Sequence, residues 1–409
     1  MLLASVLPRV IRIGRLNLID AAGKTHTFSG APGPAATVRL HDPTLQWKLL
    51  LNPRLRVPEA YMDGRLTIEE GSLYDFLDVL TRNEAALSDN LVVRLGDLAG
   101  RLLRYLHQYN PIHRARRNVA HHYDLSDQLY ELFLDRDRQY SCAYFQSPDD
   151  DLDTAQANKK RHIAAKLLLR PGQNVLDIGS GWGGLALYLA SECGADVTGL
   201  TLSQEQLKVA QRRAAAAGLA DRVRFHLRDY REERGQYDRI VSVGMFEHVG
   251  VDHYDAFFDR LASLLKPDGV ALLHSIGRME GPGTTNPWLR KYIFPGGYCP
   301  ALSEVVPVTE RKRLWITDIE ILRLHYAETL RAWRHRFEQN RERIRSLYDE
   351  RFCRMWEFYL VGCEIAFRYM GQMVFQMQLA KAVDTVPLTR DYMTDWERAQ
   401  SRSSEHRAA

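Results

Sequence analysis

From Asn174 onward, short apolar runs alternate with amphipathic stretches. Val175–Ile178, Asp196–Leu202, Val223–Leu227, Arg239–Val243 and Val270–Ser275 read as strands. Leu185–Ser191, Gln204–Ala217 and Tyr254–Leu265 read as the helices between them. Such alternation predicts a parallel sheet with helices on both faces. The second helix has clear ends: Ser203 and Gln206 fit a capping box, and Gly218 fits the stop. Leu207, Ala210, Ala214 and Ala217 supply its buried stripe.

The flanking segments read differently. In residues 1–90, Val10–Ile19 and His26–Ser29 flank Asp20–Lys24, a hairpin pattern, and Val38–Leu40 suits a further strand. Thr44–Leu51, Glu59–Asp63 and Leu73–Leu80 are helix-like, so a small α+β domain is expected. Leu91, Leu95, Leu98, Leu102 and Leu106 recur at helical spacing in a basic linker over 91–120, broken at Pro111. Residues 121–400 then form the main domain. Within it, Gly281–Pro300 reads as a loop or lid, and Tyr326–Ser346 and Leu347–Ala382 read as long helices rich in aromatic and Met residues, a helical cover.

Composition narrows the class. The 409 residues are 45% hydrophobic and 26% charged, an ordinary globular balance with room for two domains. The net charge is +4, yet basic residues cluster at Arg101–Arg117, at Arg311–Arg313 and from Arg331 to Arg345. Such clusters suit anionic lipid headgroups or nucleic acid, or else a solvated helix face. The five cysteines fit neither a disulfide framework nor a zinc site, which points to a reducing cytoplasm. Met1–Leu7 lacks the basic start and length of a signal segment. No apolar run approaches the ~18 residues of a membrane span.

Residues Val175–Gly184, VLDIGSGWGG, carry the chemistry. A strand, a glycine turn and a helix start bring backbone N–H groups close to a nucleotide. A phosphate loop would end in Gly-Lys-Ser/Thr, whereas this turn ends Trp182-Gly183-Gly184. A dinucleotide site expects an acid at the end of the second strand, where this chain has Gly199-Leu200-Thr201-Leu202-Ser203. The acid is instead Asp177, ahead of the glycines. It would repel a pyrophosphate but suit a ligand with a sulfonium and an amine, and S-adenosylmethionine is the candidate. The Leu265-Lys-Pro-Asp-Gly269 turn before the fifth strand matches class I methyltransferases.

Further motifs occur in one order: Tyr140-Ser-Cys-Ala-Tyr144, the glycine turn, Leu200-Thr-Leu-Ser203 with Gln206, Asp229-Tyr-Arg231 and Val243-Gly-Met-Phe-Glu-His-Val-Gly250. Leu273-His-Ser-Ile-Gly277, Lys291-Tyr-Ile-Phe-Pro295 and His325-Tyr326 follow. Over residues 110–385 the chain resembles the cyclopropane fatty acid synthase (cyclopropane-fatty-acyl-phospholipid synthase) family. Leu40-His-Asp-Pro43 and Glu59-Ala-Tyr-Met-Asp-Gly64 resemble that family's small lipid-binding domain. Ser180 stands where many relatives have Cys, a small polar exchange of little expected consequence.

The resemblance implies an α/β fold, a class I Rossmann-like sheet with a helical lid behind a small α+β domain. It implies methyl transfer from S-adenosylmethionine to a cis double bond of a phospholipid acyl chain, then deprotonation and ring closure with bound bicarbonate as base. Cys142, Glu247, His274, Tyr326 and the backbone of Ile276 would hold that ion. Cys363 matches a cysteine once proposed as catalytic, although a thiolate has no clear task beside a carbocation. Tyr140, Ser141, Asp177, Gly179, Ser180, Gly181, Trp182, Gly183, Thr201, Leu202, Gln206, Tyr230 and Arg231 would bind the donor. Tyr140 and Ser141 would take the methionine end, Thr201 and Gln206 the ribose, and Tyr230 and Arg231 the adenine.

No metal is expected: Glu247 and His248 are neighbours on an expected strand and would point apart. His121 and His122 are assigned no role. Expected partners are an unsaturated phospholipid, an anionic membrane surface and a second copy of the chain, at the cytoplasmic face of the membrane. The alternatives are a sibling enzyme making methyl-branched or methylene chains and a non-catalytic lipid-binding protein. Nucleic-acid methylation lacks any base-reading motif.

Overall fold

The computed structural model describes residues 3–84 and 125–408, with side chains up to residue 400. The basic linker, Arg101–Arg117 and His121–His122 therefore lie outside the described residues. In chain order the elements are α1 (Leu3–Val10), β1 (Ile13–Ile19), β2 (Thr25–Ser29), β3 (Ala31–Leu40), α2 (Leu45–Leu51), α3 (Pro53–Met62), β4 (Leu66–Glu70) and α4 (Leu73–Arg82). Then come α5 (Asp127–Phe133), α6 (Leu152–Lys166), β5 (Asn174–Ile178), α7 (Gly184–Cys193), β6 (Asp196–Thr201), α8 (Gln204–Ala216), β7 (Val223–Leu227), β8 (Tyr237–Val243), α9 (Tyr254–Leu264) and β9 (Leu265–Arg278). The chain closes with α10 (Pro287–Tyr292), α11 (Leu302–Arg311), β10 (Trp315–Ile321), α12 (His325–Gln339), α13 (Arg341–Leu347), α14 (Glu350–Tyr369), β11 (Gln372–Ala380) and α15 (Asp391–Ala408).

These elements form two units. Among the described residues, one gathers 3–84, 284–295 and 330–372, and the other 125–283, 296–329 and 373–408. The first unit carries the sheet β2-β1-β3-β4. The expected hairpin is there, with Arg15 opposite Ser29 and Ile19 opposite Thr25. Leu16, Leu18, Phe28, Val38, Phe76 and Val79 build its core. Val361 and Ile365, one helical turn apart on α14, are buried in that same core. This corrects the boundary at 121–400: α14 does not belong with the glycine-turn domain, because its apolar stripe completes the first unit.

The second unit carries a seven-stranded sheet, β10-β11-β9-β8-β5-β6-β7, with β5 to β9 paired parallel. All five expected strands and all three helices between them are present. Strand β5 is central, with Asp177 opposite Gly199 on β6 and Val241 on β8. The chain runs outward from β5 through β6 to β7, then returns to the other side at β8. Ligand crevices form at such a switch point, beyond the carboxyl ends of the strands.

The C-terminal expectation needs correction. Gln372–Ala380 is a strand, not the end of a helix, and pairs antiparallel with β10. All but its first residue are buried, so the two-residue alternation that marks a half-exposed strand is absent. Trp315–Ile321 is a further strand with no counterpart in the sequence reading.

Beneath the carboxyl edge, Phe246, Phe257 and Phe258 are fully buried. Phe257 meets Phe246, Phe258 and Tyr230 edge-on at centroid distances of 4.9, 5.2 and 5.3 Å. Phe257→Ala is expected to cost about 3–5 kcal/mol of stability in chemical denaturation; a loss under about 1 kcal/mol would contradict this packing.

Candidate active site

The crevice is built by four loops at the carboxyl ends of β5, β6, β7 and β8. Its lining includes Asp177, Gly179, Ser180, Gly181 and Trp182 from the first loop and Thr201, Leu202 and Gln206 from the second. Asp229, Tyr230 and Arg231 follow β7, and Gly244, Met245, His248 and Val249 follow β8. Tyr140, Ser141, Gln139 and Lys159 complete the wall.

Twelve of the thirteen residues expected at the donor site thus line one cavity, and Gly183 does not. Gly183 has φ +84°, and a Cβ there would lie 2.6 Å from Phe225 and 3.1 Å from Ala210. Its glycine lets the turn close onto β7 and α8. Gly179, with φ +85°, does line the cavity, where a Cβ would meet Met245 at 2.9 Å.

Side chains around the cavity are held by one another. Thr201 donates to Gln206 Oε1 at 2.9 Å, while Ser203 Oγ accepts from the Gln206 backbone N–H. Only half of the expected capping box therefore forms, because the Gln206 side chain turns to Thr201 instead. Arg231 makes two bonds to Asp229, at 2.8 and 2.7 Å. Trp182 Nε1 donates to Asp127 at 3.0 Å, and its ring packs on Tyr130.

Asp177 is different. It is 2% exposed, and Oδ2 has no hydrogen-bond partner among the described residues. Burial pushes its pKa up to about 7, against a smaller lowering by Lys159. An unpaired buried carboxylate fits a ligand that brings a cation, as S-adenosylmethionine does with its ammonium and sulfonium.

A second group of residues lies next to this cavity in the chain. Glu247 sits between cavity residues Met245 and His248. It lies in a 3-10 turn, Phe246–His248, and not on a strand as expected. Its Oε1 accepts from the Ile276 N–H at 2.6 Å, and its buried Oε2 has no partner among the described residues. Burial raises Glu247 to about 7. His274, two residues before Ile276 on β9, lies with Nδ1 3.2 Å from Gln376 Nε2. Burial lowers its pKa to about 3, so the ring is neutral.

Cys142 and Tyr326 are both buried. The Ala143 N–H donates to Thr329 at 3.0 Å and the Phe145 N–H to His325 Nδ1 at 3.1 Å, which ties the Cys142 loop to the first turn of α12. Burial raises the Cys142 thiol far above its ordinary range, so it stays protonated. Cys363 is on α14, which belongs to the first unit.

Two expectations change here. The Ile276 N–H is already bonded to Glu247. The basic clusters at 311–313 and 331–345 are partly ion-paired: Arg311 and Lys312 bond Asp255, Lys312 also Asp259, Arg334 Glu364, Arg341 Glu350 and Glu357, and Arg345 Glu342. Sequence reading missed Lys159, Gln139, Asp229, Met245, His248 and Gln376. Only Asp229, Met245 and His248 fell within motifs already noted.

The model of the mycolic acid cyclopropane synthetase family matches residues 111–377. The chain belongs to this family. It is 38% identical over 352 residues to the cyclopropane-fatty-acyl-phospholipid synthase of Escherichia coli K12, covering 85% of this chain and 89% of that one. It is 34% identical over 391 residues to a probable fatty acid methyltransferase of Pseudomonas putida, covering 93% and 95%. The mycolic acid cyclopropane synthase CmaA1, solved with SAH and CTAB, superposes with a TM-score of 0.62 at 34% identity, covering 66% and 99%. The protein is an S-adenosylmethionine-dependent methyltransferase of lipid acyl chains.

Ionised Asp177 favours the donor's ammonium, so donor affinity is expected to rise from about pH 6 to about pH 7.5, above which the donor's own α-ammonium begins to lose its proton. In the free chain the sign is opposite. A carboxyl raised by burial costs stability as pH climbs from the ordinary carboxylate range through about 7. Titration calorimetry should show Asp177→Asn binding S-adenosylmethionine about tenfold or more weakly, with a flatter pH profile. Unchanged affinity and slope would contradict the pairing.

Proposed function

We propose that this enzyme transfers a methylene unit from S-adenosylmethionine to the cis double bond of an unsaturated phospholipid acyl chain, giving a cyclopropane. The observation that carries the reading is Glu247, a buried carboxylate with one oxygen fixed by Ile276 and the other unpartnered, on the turn that also lines the donor cavity. An alkene is a weak nucleophile, so donor and acceptor must be held close and in line. As the methyl bonds to one alkene carbon, its bond to sulfur breaks and the other carbon becomes cationic. A proton must then leave the transferred methyl so that its electron pair closes the ring. Water would quench the cation, and a thiolate would be alkylated. Buried Cys142, held as a neutral thiol, and neutral His274 suit such an environment.

Bicarbonate fits beside Glu247, whose raised pKa lets Oε2 donate or accept near neutral pH. Glu247, His274, Tyr326 and Cys142 would hold the ion. It supplies an oxygen base that is not itself part of the chain. Ile276 would act by fixing Glu247, since its N–H is occupied. Gln376 would orient His274. Cys363 is assigned no catalytic task.

The lipid must reach this site from a bilayer. The reading places the enzyme at the cytoplasmic face of the membrane, as a homodimer, with the first unit and the basic Arg101–Arg117 segment toward anionic headgroups. Reversing Arg114, Arg116 and Arg117 to Glu is expected to weaken salt-sensitive binding to anionic vesicles. Unchanged binding would remove the segment from that role.

The second reading, a methyl-branched or methylene product, draws on the similarity to a probable fatty acid methyltransferase. Incubating the enzyme with labelled donor and unsaturated phospholipid vesicles, then fragmenting the acyl chains by mass spectrometry, separates the two. Ring fragments with one added CH2 are expected, and branch fragments would favour the sibling reaction. Glu247→Gln should cut turnover by about 10²-fold or more while donor affinity stays within about twofold. Full activity in that variant would overturn the role of Glu247.

A further inference from the structure

The cavity wall holds a charge that this reaction scheme does not use. Lys159 lies within α6 and is 1% exposed. Its Nζ donates to Gln139 Oε1 at 2.7 Å and to Ser141 Oγ at 2.8 Å. An ammonium has three N–H donors, so one remains without a partner among the described residues. Burial lowers its pKa to about 8, so it is mostly charged at neutral pH.

Among the described residues, no carboxylate neutralises Lys159 by contact. Asp135 accepts from the backbone N–H groups of Asp137 and Gln139, and Asp137 pairs with Lys160 and Arg213. Asp177 lines the same cavity, yet forms no ion pair with Lys159. Among the described residues, the cavity therefore holds a buried cation, Lys159, and a buried anion, Asp177, that each lack a direct counter-charge. Leaving either so is costly unless a ligand completes it. Ser141 adds a further indication. Its Oγ accepts from Lys159, so its own hydroxyl proton is free to point elsewhere. Lys159 and Ser141 thus present two adjacent donors, one of them charged.

We propose that Lys159 is a donor-binding residue: its third N–H, beside the Ser141 hydroxyl, takes the α-carboxylate of S-adenosylmethionine while Asp177 takes the α-ammonium. This rests on the donor site described above and assigns its two ends. The amino-acid portion of the donor is a zwitterion, and two separated buried charges of opposite sign match it. A charge-assisted bond at each end would fix the sulfonium between them, and with it the direction of the methyl. The competing role for Lys159 is purely internal, tying Gln139 and Ser141 to α6.

Calorimetry on the full chain with three ligands separates these roles: S-adenosylmethionine, its decarboxylated analogue, and methylthioadenosine, which lacks the amino-acid end. The wild type is expected to bind the decarboxylated analogue about tenfold or more weakly than S-adenosylmethionine. Lys159→Met should erase that preference by weakening S-adenosylmethionine alone, with methylthioadenosine unchanged within about twofold. Lys159→Arg should restore part of the preference. Equal binding of both donors by the wild type would overturn the proposal, and so would equal loss of all three ligands in Lys159→Met. Should that variant fail to fold, the wild-type preference decides the matter. A wild type that binds none of the three would remove the donor site itself.

Discussion

A carboxylate buried without a counter-charge at the centre of a parallel sheet constrains this molecule more than any other single group. Asp177 is flanked by strands on both sides, with Gly199 and Val241 as its neighbours in register. Its backbone is consumed by the sheet, and its side chain lies where the strand order reverses and the loops diverge. Desolvation there would be relieved by water or by a cation, and Oδ2 has neither a partner nor exposure among the described residues. Gly179 after it lets Met245 approach closely, and Gly183 lets the turn close onto Phe225 of β7 and Ala210 of α8. The crevice therefore offers a buried carboxylate to a ligand that brings a cation, and at that end suits a phosphate poorly.

The two halves of the chemistry share this scaffold. Strand β8 ends in the turn that carries Met245, Glu247 and His248, and β9 carries His274 and Ile276. Glu247 accepts from Ile276, so the turn after β8 is fastened to β9, and Phe246, next to Glu247, anchors that turn in the core with Phe257 and Phe258. Burial is the largest influence on four groups here. It holds Glu247 and Asp177 near neutrality, His274 neutral and Cys142 a thiol. The thiol is suppressed as a nucleophile, while Glu247, on the turn after β8, is left able to exchange a proton. That combination suits a reaction through a carbocation.

Much of this was legible in the sequence, for identifiable reasons. Strands β5 to β8 are short runs set off by turn residues, and two inside the parallel sheet, β5 and β8, are buried on both faces and write an apolar pattern plainly. The glycine turn was legible because backbone geometry demands it. What failed was periodicity under full burial. Strand β11 is Gln-Met-Val-Phe-Gln-Met-Gln-Leu-Ala, and two of its three glutamines are buried: Gln376 meets His274, and Gln378 meets Tyr392 at 2.8 Å. Polar residues in a core imitate the exposed side of a helix. Helix α6 conceals Lys159 in the same way, since Gln156, Asn158, Lys159, His162 and Lys166 are all buried despite a polar sequence. The grouping of α14 with the first unit rests on Val361 and Ile365 finding their core in residues far earlier in the chain, a contact that local pattern does not encode.

The most direct test of the account is a crystal structure of the full chain with S-adenosylhomocysteine, which keeps the ammonium while lacking the transferable methyl. The account places the ammonium within hydrogen-bond distance of Asp177 Oδ2 and the adenine beside Tyr230 and Arg231. A ligand bound elsewhere, with Asp177 Oδ2 still unpartnered, would contradict it.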